Sequence, residues 1–274
     1  MGEQVNEEHS GAIDVTTSTW IHRYAVRPLA SKRLFCFSYA GAGASVYRLW
    51  HNGLPSNIEV CAVQLPGREG RLREAPIASI PGIVSALLPA ILAFADRPFA
   101  FFGHSMGAVI ATEVARALQS SGGPMPSHLF VSARRPTALA DPDPPLAHLP
   151  DAELVAELNR RYGGIPPEVM EHKELMALLL PALRADLSAL ESFQPKLGTR
   201  LSMPLHVFGG LGDARVPRAH LEAWQADAQG PFRVRQFPGG HFYLASQQAA
   251  LLEDVHAALI TPSAEAVVRT PEPV

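Results

Sequence analysis

Gly103-His104-Ser105-Met106-Gly107 constrains this chain more than any other stretch. It has the form G-x-S-x-G. The apolar run Phe99-Ala100-Phe101-Phe102 precedes it and reads as a buried strand, and a run of helix formers, Ala108 through Leu118, follows at once. A strand that turns straight into a helix lifts the middle serine onto a strained turn above the sheet, with its hydroxyl exposed. The glycines are required because neighbouring backbone comes close and a Cβ would clash. The helix start aims backbone N–H groups at any anion that forms beside the serine. The alternative is a tight structural turn whose serine only caps the helix. The strand before it and the helix after it favour the nucleophile.

Composition narrows the remaining choices. The 274 residues suffice for one large domain or two small ones, and an apolar fraction of 47% supplies a sizeable core. A net charge of −3, with both signs mixed, indicates no nucleic-acid partner. No apolar run approaches the ~20 residues needed to span a bilayer. Residues 1–19 are polar and acidic and hold no hydrophobic signal core, so a cytoplasmic protein is expected. Cys36 and Cys61 lie in apolar strand-like runs and read as core thiols rather than a disulfide. The eleven histidines show no zinc-type spacing, so no metal is expected.

Residues 1–19 and 261–274 read as flexible ends flanking one domain over 20–260. Within it, strands are expected at Leu34–Ser38, Glu59–Gln64, Phe99–Phe102, His128–Ser132, Leu205–Phe208 and Phe232–Phe237. Most are continuously apolar, as strands covered on both faces are. Helices are expected at Val46–Leu54, Ile80–Ala95, Met106–Ser120, Pro217–Ala228 and Ser246–Leu259. Strands separated by helices imply an α/β fold with a mostly parallel sheet. The rhythm breaks over about 136–203, where no strand pattern occurs. That stretch predicts three helical segments, Asp151–Arg161, Pro166–Glu171 and Lys173–Phe193. In the last, Leu175, Leu179, Leu183, Leu187 and Leu190 form one apolar stripe, and Pro181 is expected to kink or restart it. Such an insertion reads as a lid over an active site, the alternative being a fixed extra layer.

A serine nucleophile needs a base and a group to orient that base. In the sheet-and-helix hydrolase arrangement the chain order is Ser, then Asp or Glu, then His. Leu205–Phe208 leads into Gly209-Gly210-Leu211-Gly212-Asp213, where the glycines are expected to make a mobile turn that swings Asp213 toward the serine. Phe232–Phe237 leads into Pro238-Gly239-Gly240-His241-Phe242, which delivers His241 before a final helix. Asp213 could instead cap the helix near Pro217. Asp186, Glu191 and Asp227 compete with it, but Asp186 lies inside an insertion helix and Asp227 near a helix end. His206 and His220 fit their positions poorly as bases, and the side chain of His104 is expected to point away from the reacting centre. An oxyanion hole needs two backbone donors. One is Met106, after the nucleophile. The other lies in Ser38-Tyr39-Ala40-Gly41-Ala42-Gly43-Ala44, with Ala40 favoured by position and Gly41 next. That glycine loop lacks a Walker lysine and full G-x-G-x-x-G spacing, so it does not read as a nucleotide site.

Six segments carry a family resemblance over Leu34 to about Leu252: Phe37–Gly43, Gln64-Leu65-Pro66-Gly67-Arg68-Glu69, Phe102–Gly107, Ser132-Ala133-Arg134-Arg135-Pro136, Leu180–Asp186 and Pro238–Phe242. In this order they resemble the stand-alone type II thioesterases of polyketide and nonribosomal peptide assembly lines, within the α/β-hydrolase superfamily. The resemblance implies an α/β-hydrolase fold with a helical lid. It implies hydrolysis of acyl groups from the phosphopantetheine arm of acyl or peptidyl carrier proteins, clearing stalled or misprimed synthases. It implies Ser105, Asp213 and His241 as the triad, Ala40 and Met106 as oxyanion donors, and no cofactor beyond the phosphopantetheine on the substrate. Carrier proteins are the implied partners; a monomer with no nucleic-acid or membrane partner is expected. A basic docking patch is also implied, with Arg134, Arg135, Arg160 and Arg161 as candidates, solvated surface charge being the other reading. Two departures stand out: Ser38 occupies a place where proline is common, and Gly41-Ala42-Gly43 replaces adjacent glycines. The Gln64–Glu69 segment carries no evident chemistry and reads as a structural turn with Arg68 in an ion pair. Rival functions are a carboxylester hydrolase or lipase with the same triad, although the H-G-G-G-type segment is missing, a product-releasing thioesterase, and a silent carrier-binding scaffold.

Overall fold

The structure, a computed structural model, describes residues 18–141, 143–163, 172–195 and 198–260. The expected flexible ends fall almost wholly outside them, as does the predicted helix Pro166–Glu171. The strands are β1 (Ile21–His22), β2 (Lys32–Phe37), β3 (Ile58–Val63), β4 (Phe99–His104), β5 (Leu129–Ser132), β6 (Leu205–Gly210) and β7 (Phe232–Phe237). They form one seven-stranded sheet in the order β1-β3-β2-β4-β5-β6-β7. β1 runs antiparallel to β3, and every other pair is parallel. The six predicted strands are all present. β1 escapes the sequence because two residues carry no periodicity.

β2, β3, β4 and β5 are almost entirely buried, which is why their sequences are continuously apolar. β7, at an edge, exposes Arg233 and half-exposes Arg235, charges that blunt a sheet edge against further pairing. The helices are α1 (Ile80–Ala93), α2 (Met106–Ser121), α3 (Asp151–Tyr162), α4 (Lys173–Glu191), α5 (Arg218–Glu222), α6 (Tyr243–Ser246) and α7 (Gln248–Ile260). One face of the sheet packs α1 and α2 through Phe35, Phe101, Ile83, Leu87, Val109 and Val114. The other packs α7 and the 44–54 segment through Phe102, Phe130, Tyr47, Trp50, Leu252 and Val255. Cys36 and Cys61 are free and buried, one facing each layer.

Three helix expectations change form. Val46–Leu54 is two 3₁₀ turns, Ala44–Tyr47 and Trp50–Gly53. The buried anchors Tyr47 and Trp50 stand three residues apart, the period that lines up on one side of a 3₁₀ turn. Pro217–Ala228 divides into α5 and a 3₁₀ turn over Ala223–Asp227, and Ser246–Leu259 divides into α6 and α7. In the opposite sense, α4 runs through Pro181 without a break, the proline being on its exposed side.

Within the insertion, α3 and α4 have a small core of their own: Leu146, Leu154, Met176, Leu180 and Leu187. Polar links supplement it, including Arg184 to Asp151 at 2.5 Å and the Glu191 carboxylate accepting the Ala147 N–H at 3.2 Å. Of the predicted leucine stripe, Leu179, Leu183, Leu187 and Leu190 face the cavity described below, whereas Leu175 is exposed.

Candidate active site

β4 and β5 are in register at His104 and Ser132, and the Ser105 N–H donates to the Ser132 carbonyl at 2.8 Å. That bond fixes the turn between β4 and α2. Ser105 sits at φ 53° and ψ −112°, a strained conformation for a residue with a side chain. The flanking glycines are required by contact. A Cβ on Gly107 would lie inside the Phe37 carbonyl, and one on Gly103 would come 2.6 Å from the Ala108 Cα. The turn therefore holds its serine outward because β2 and α2 close on it from both sides.

Two further loops converge on Ser105. The His241 Nε2 lies 3.0 Å from the Ser105 Oγ, and its Nδ1 lies 2.7 Å from the Asp213 Oδ2. The other Asp213 oxygen, Oδ1, accepts the N–H groups of Arg215 at 3.0 Å and Val216 at 3.3 Å, in the turn ahead of the helix it was alternatively expected to cap. Pro217, not Asp213, caps α5. The expectation of a mobile glycine turn before Asp213 is corrected. The Leu211 N–H donates to the Phe237 carbonyl and the Gly212 N–H to the Gly239 carbonyl, both at 2.8 Å. A Cβ on Gly210 would strike the Gly240 carbonyl oxygen. These glycines allow the two loops to lock together backbone to backbone, which sets the carboxylate against the imidazole.

His241 is enclosed by rings. The centroids of Tyr162, Phe242 and His104 lie 4.8, 5.1 and 5.4 Å from its own. His104 was expected to point away from the reacting centre; instead its ring packs edge-on against His241 and only its hydrogen bonding is turned away. Its Nδ1 lies 2.8 Å from the Ser132 Oγ, which lies 2.6 Å from the Tyr243 hydroxyl. Burial first, and the neighbouring His241 second, hold the His104 imidazole well below the usual histidine range. It is therefore neutral, which keeps a second positive charge away from His241. Burial likewise pushes the Tyr243 phenol up. Tyr162 was missed from the sequence because its role rests on α3 folding over the sheet.

A cavity of about 400 Å³ opens above Ser105 and His241. Its walls are the 39–43 loop, α3 through Leu158 and Tyr162, and the leucine stripe of α4. The lining is mostly apolar, suited to an acyl chain. Ala40 and Gly41, the two oxyanion candidates, both line it. The Gly41 N–H is already committed, at 2.8 Å, to the Asp186 Oδ2. Met106 is the first residue of α2, a position whose N–H has no partner inside its helix. Asp186, weighed as a triad acid and set aside, is fully buried and grips Arg68 through two bonds at 2.5 and 2.8 Å. The ion pair expected for Arg68 is thus present.

The four candidate docking arginines separate. Arg135 is buried against Asp141, and Arg161 is buried against Glu157 at 2.7 Å. Arg134 lines the cavity, and its Trp224-bound carbonyl ties it to the main body at 2.7 Å. Arg160 alone of the four stays exposed, bonded to Glu157 at 2.6 Å. The other three do not present a solvated basic patch. Among the described residues, no cluster of His, Cys, Asp and Glu has the arrangement to hold a metal ion, and no helix is long and apolar enough to cross a membrane.

Comparison with known proteins agrees with this geometry. The thioesterase domain family model matches residues 32–259. The chain is 39% identical over 248 residues to linear gramicidin dehydrogenase LgrE of Brevibacillus parabrevis, covering 89% of this chain and 94% of that protein. It is 39% identical over 234 residues to gramicidin S biosynthesis protein GrsT of Aneurinibacillus migulanus, covering 85% and 91%. The solved structure of the type II thioesterase BorB from the borrelidin biosynthetic cluster superimposes with a TM-score of 0.81 at 36% identity, covering 89% of this chain and 98% of that one. The dehydrogenase name of the first relative has no counterpart here in a dinucleotide fingerprint: the glycine loop after β2 leads into a 3₁₀ turn and lacks G-x-G-x-x-G spacing.

Proposed function

The chain belongs to the thioesterase domain family and is a thioester hydrolase, and from that premise we propose that it removes acyl groups from the phosphopantetheine arm of acyl or peptidyl carrier proteins in a polyketide or nonribosomal peptide pathway. Its task there is to clear stalled or misprimed acyl groups. The observation that carries this is the relay from Asp213 through His241 to Ser105, at 2.7 and 3.0 Å, on the floor of an acyl-sized apolar cavity.

In the first half of the cycle, His241 accepts the Ser105 proton at Nε2 while the Ser105 Oγ attacks the thioester carbonyl. The backbone N–H groups of Ala40 and Met106 receive the oxyanion, and the pantetheine sulfur departs as the thiol, taking the proton held on His241 Nε2, which leaves His241 neutral. Water then attacks the acyl-serine while the neutral His241 takes its proton; the tetrahedral intermediate breaks at the Ser105 Oγ, His241 returns the proton to that oxygen, and the free acid leaves. The Nδ1–H of His241 donates a hydrogen bond to Asp213 throughout, which fixes the tautomer and stabilises the imidazolium that forms. A thiol with a pKa near ~8.5 is a good leaving group, so protonation of the departing atom matters less than oxyanion stabilisation. The insertion serves as a lid whose leucine stripe receives the acyl chain. No cofactor belongs to the enzyme itself. It acts in the cytoplasm as a monomer, and Arg160 is the exposed arginine best placed to meet an acidic carrier.

The test is a panel of carrier proteins loaded with acyl chains of increasing length, alongside matching oxygen esters. Faster hydrolysis of the carrier thioesters, with trapped acyl-Ser105 on acid quench, is the expected result. A clear preference for oxygen esters would instead identify a carboxylester hydrolase. Failure of a fluorophosphonate to label Ser105 would leave a carrier-binding scaffold.

A further inference from the structure

The relay leaves one motif unused, the Leu65-Pro66-Gly67-Arg68-Glu69 segment with Gln64 before it. Its side chains hold the glycine loop. The Gln64 Oε1 accepts the Ala44 N–H at 2.9 Å, while its Nε2 donates to the Arg68 carbonyl at 3.1 Å. The Arg68 Nη1 donates to the Ala42 carbonyl at 3.2 Å, which also receives the Ser38 hydroxyl at 2.9 Å. The same Arg68 forks onto Asp186 of α4, with Nη1 to Oδ2 at 2.5 Å and Nη2 to Oδ1 at 2.8 Å. Asp186 Oδ2 then accepts the Gly41 N–H at 2.8 Å. Arg68 is 3% exposed and Asp186 0%.

We infer that Arg68 and Asp186 are a positioning pair for the reaction. They set the oxyanion loop from the insertion helix, and they decide that Ala40, not Gly41, offers its N–H to the substrate oxygen. This rests on the reading of Ser105 as nucleophile given above.

Three features carry the inference. First, two consecutive loop amides border the cavity, and a carboxylate consumes one of them. Gly41 holds φ +78°, and a Cβ there would come 3.0 Å from the Leu183 Cδ1, so α4 touches this residue through Leu183 as well as Asp186. Second, the charges balance. An uncompensated carboxylate so close to the oxyanion hole would oppose the negative charge that develops in the transition state; the bidentate guanidinium cancels it. A buried ion pair is weak evidence for stability and is better explained by geometry it specifies. Third, Asp186 belongs to the insertion while Arg68 and Gly41 belong to the main body. When α4 is seated over the cavity, Gly41 has its acceptor and the loop is set. When α4 is displaced, the acceptor goes with it. The hole is complete only beneath a seated insertion, which ties thioester attack to substrate enclosure.

The test uses the full chain with Asp186→Ala, Asp186→Asn, Arg68→Met and Arg68→Met/Asp186→Asn. Active sites are counted by the end-point of fluorophosphonate labelling. Turnover per labelled site is measured on an acyl-carrier thioester, along with the affinity of an acyl trifluoromethyl ketone, which forms a tetrahedral oxyanion on Ser105, and of the matching hydrocarbon, which does not. Asp186→Ala is expected to lower kcat per site by about 100-fold, the scale of one lost oxyanion donor, with KM little changed. The trifluoromethyl ketone should weaken by the same factor and the hydrocarbon should not. Arg68→Met should lose at least as much, and adding Asp186→Asn should recover part of the loss by removing the stranded charge. A merely structural pair would reduce the number of labelled sites and leave kcat per site unchanged. That result, equal weakening of both ligands, or a double variant worse than Arg68→Met, overturns the inference. If Asp186→Ala does not fold, Asp186→Asn carries the same ligand comparison. Thioester turnover that survives Ser105→Ala would refute the underlying function; a wild-type enzyme active through Ser105 whose Asp186 variants keep full kcat refutes the pair alone.

Discussion

The turn around Ser105 and the helical insertion above it bound the same cavity but are built on opposite principles. The turn is held by backbone against backbone: Gly107 beneath the Phe37 carbonyl, Gly103 against α2, Gly210 against Gly240. The insertion is held by side chains, with five buried apolar residues and ion pairs such as Arg184 to Asp151. A backbone contact has almost no room to adjust, whereas a side-chain core can repack. The same molecule thus fixes the Ser105 turn rigidly and leaves the insertion wall of the cavity open to variation.

The contrast is broken most severely at Gly107. Gly107→Ala must push β2 away from α2 and is expected to destabilise the fold by about 5 kcal/mol, in the range reserved for severe core disruption; a folded variant of near-native Tm would show the turn to be less constrained. Next comes Ser105→Ala, which should retain Tm yet lower kcat/KM on the order of 10⁴-fold or more. Measured together, the two variants separate what holds the turn from what it does. On the insertion side, Leu154→Ala in the small core should cost about 2–4 kcal/mol, felt locally. Hydrogen exchange should accelerate in α3 and α4 but not in β4. The ratio of long-chain to short-chain acyl hydrolysis should fall. Equal acceleration throughout the sheet would mean that the two regions unfold as one.

The smallest effect concerns pH. Burial pushes His128 and His206 down to about 4, on the face of the sheet where both contact the Phe130 ring. In the unfolded chain each returns to about 6.5. Between these values the unfolded state binds more protons than the folded one. Stability is therefore fully present above about pH 6.5 and declines as the pH falls toward 4. A His128→Gln/His206→Gln variant should show a flatter Tm profile across that interval. An unchanged slope would assign the acid sensitivity to other groups.

The strand pattern, the strand-to-helix turn and the loops bearing Asp213 and His241 were legible in the chain because each is a local signal. Buried parallel strands are continuously apolar, and the glycines mark close approach even where their purpose was misread as mobility. Tyr162 and the Arg68–Asp186 link were not legible as parts of the site. Tyr162 reaches His241 from 79 positions away, and Asp186 reaches Gly41 from 145 and Arg68 from 118. Nothing in the flanking residues encodes such partners.

What the sequence determined by itself was the order of elements and the loops that carry Ser105, Asp213 and His241, the groups proposed to react, since periodicity and glycine placement act over a few residues at a time. What only the tertiary structure decided was which amide of the glycine loop remains free, how His104 sits against His241, and which arginines meet solvent. Each of those depends on a buried polar group finding its partner across the fold, and burial without a partner is too costly for the choice to be left to local sequence.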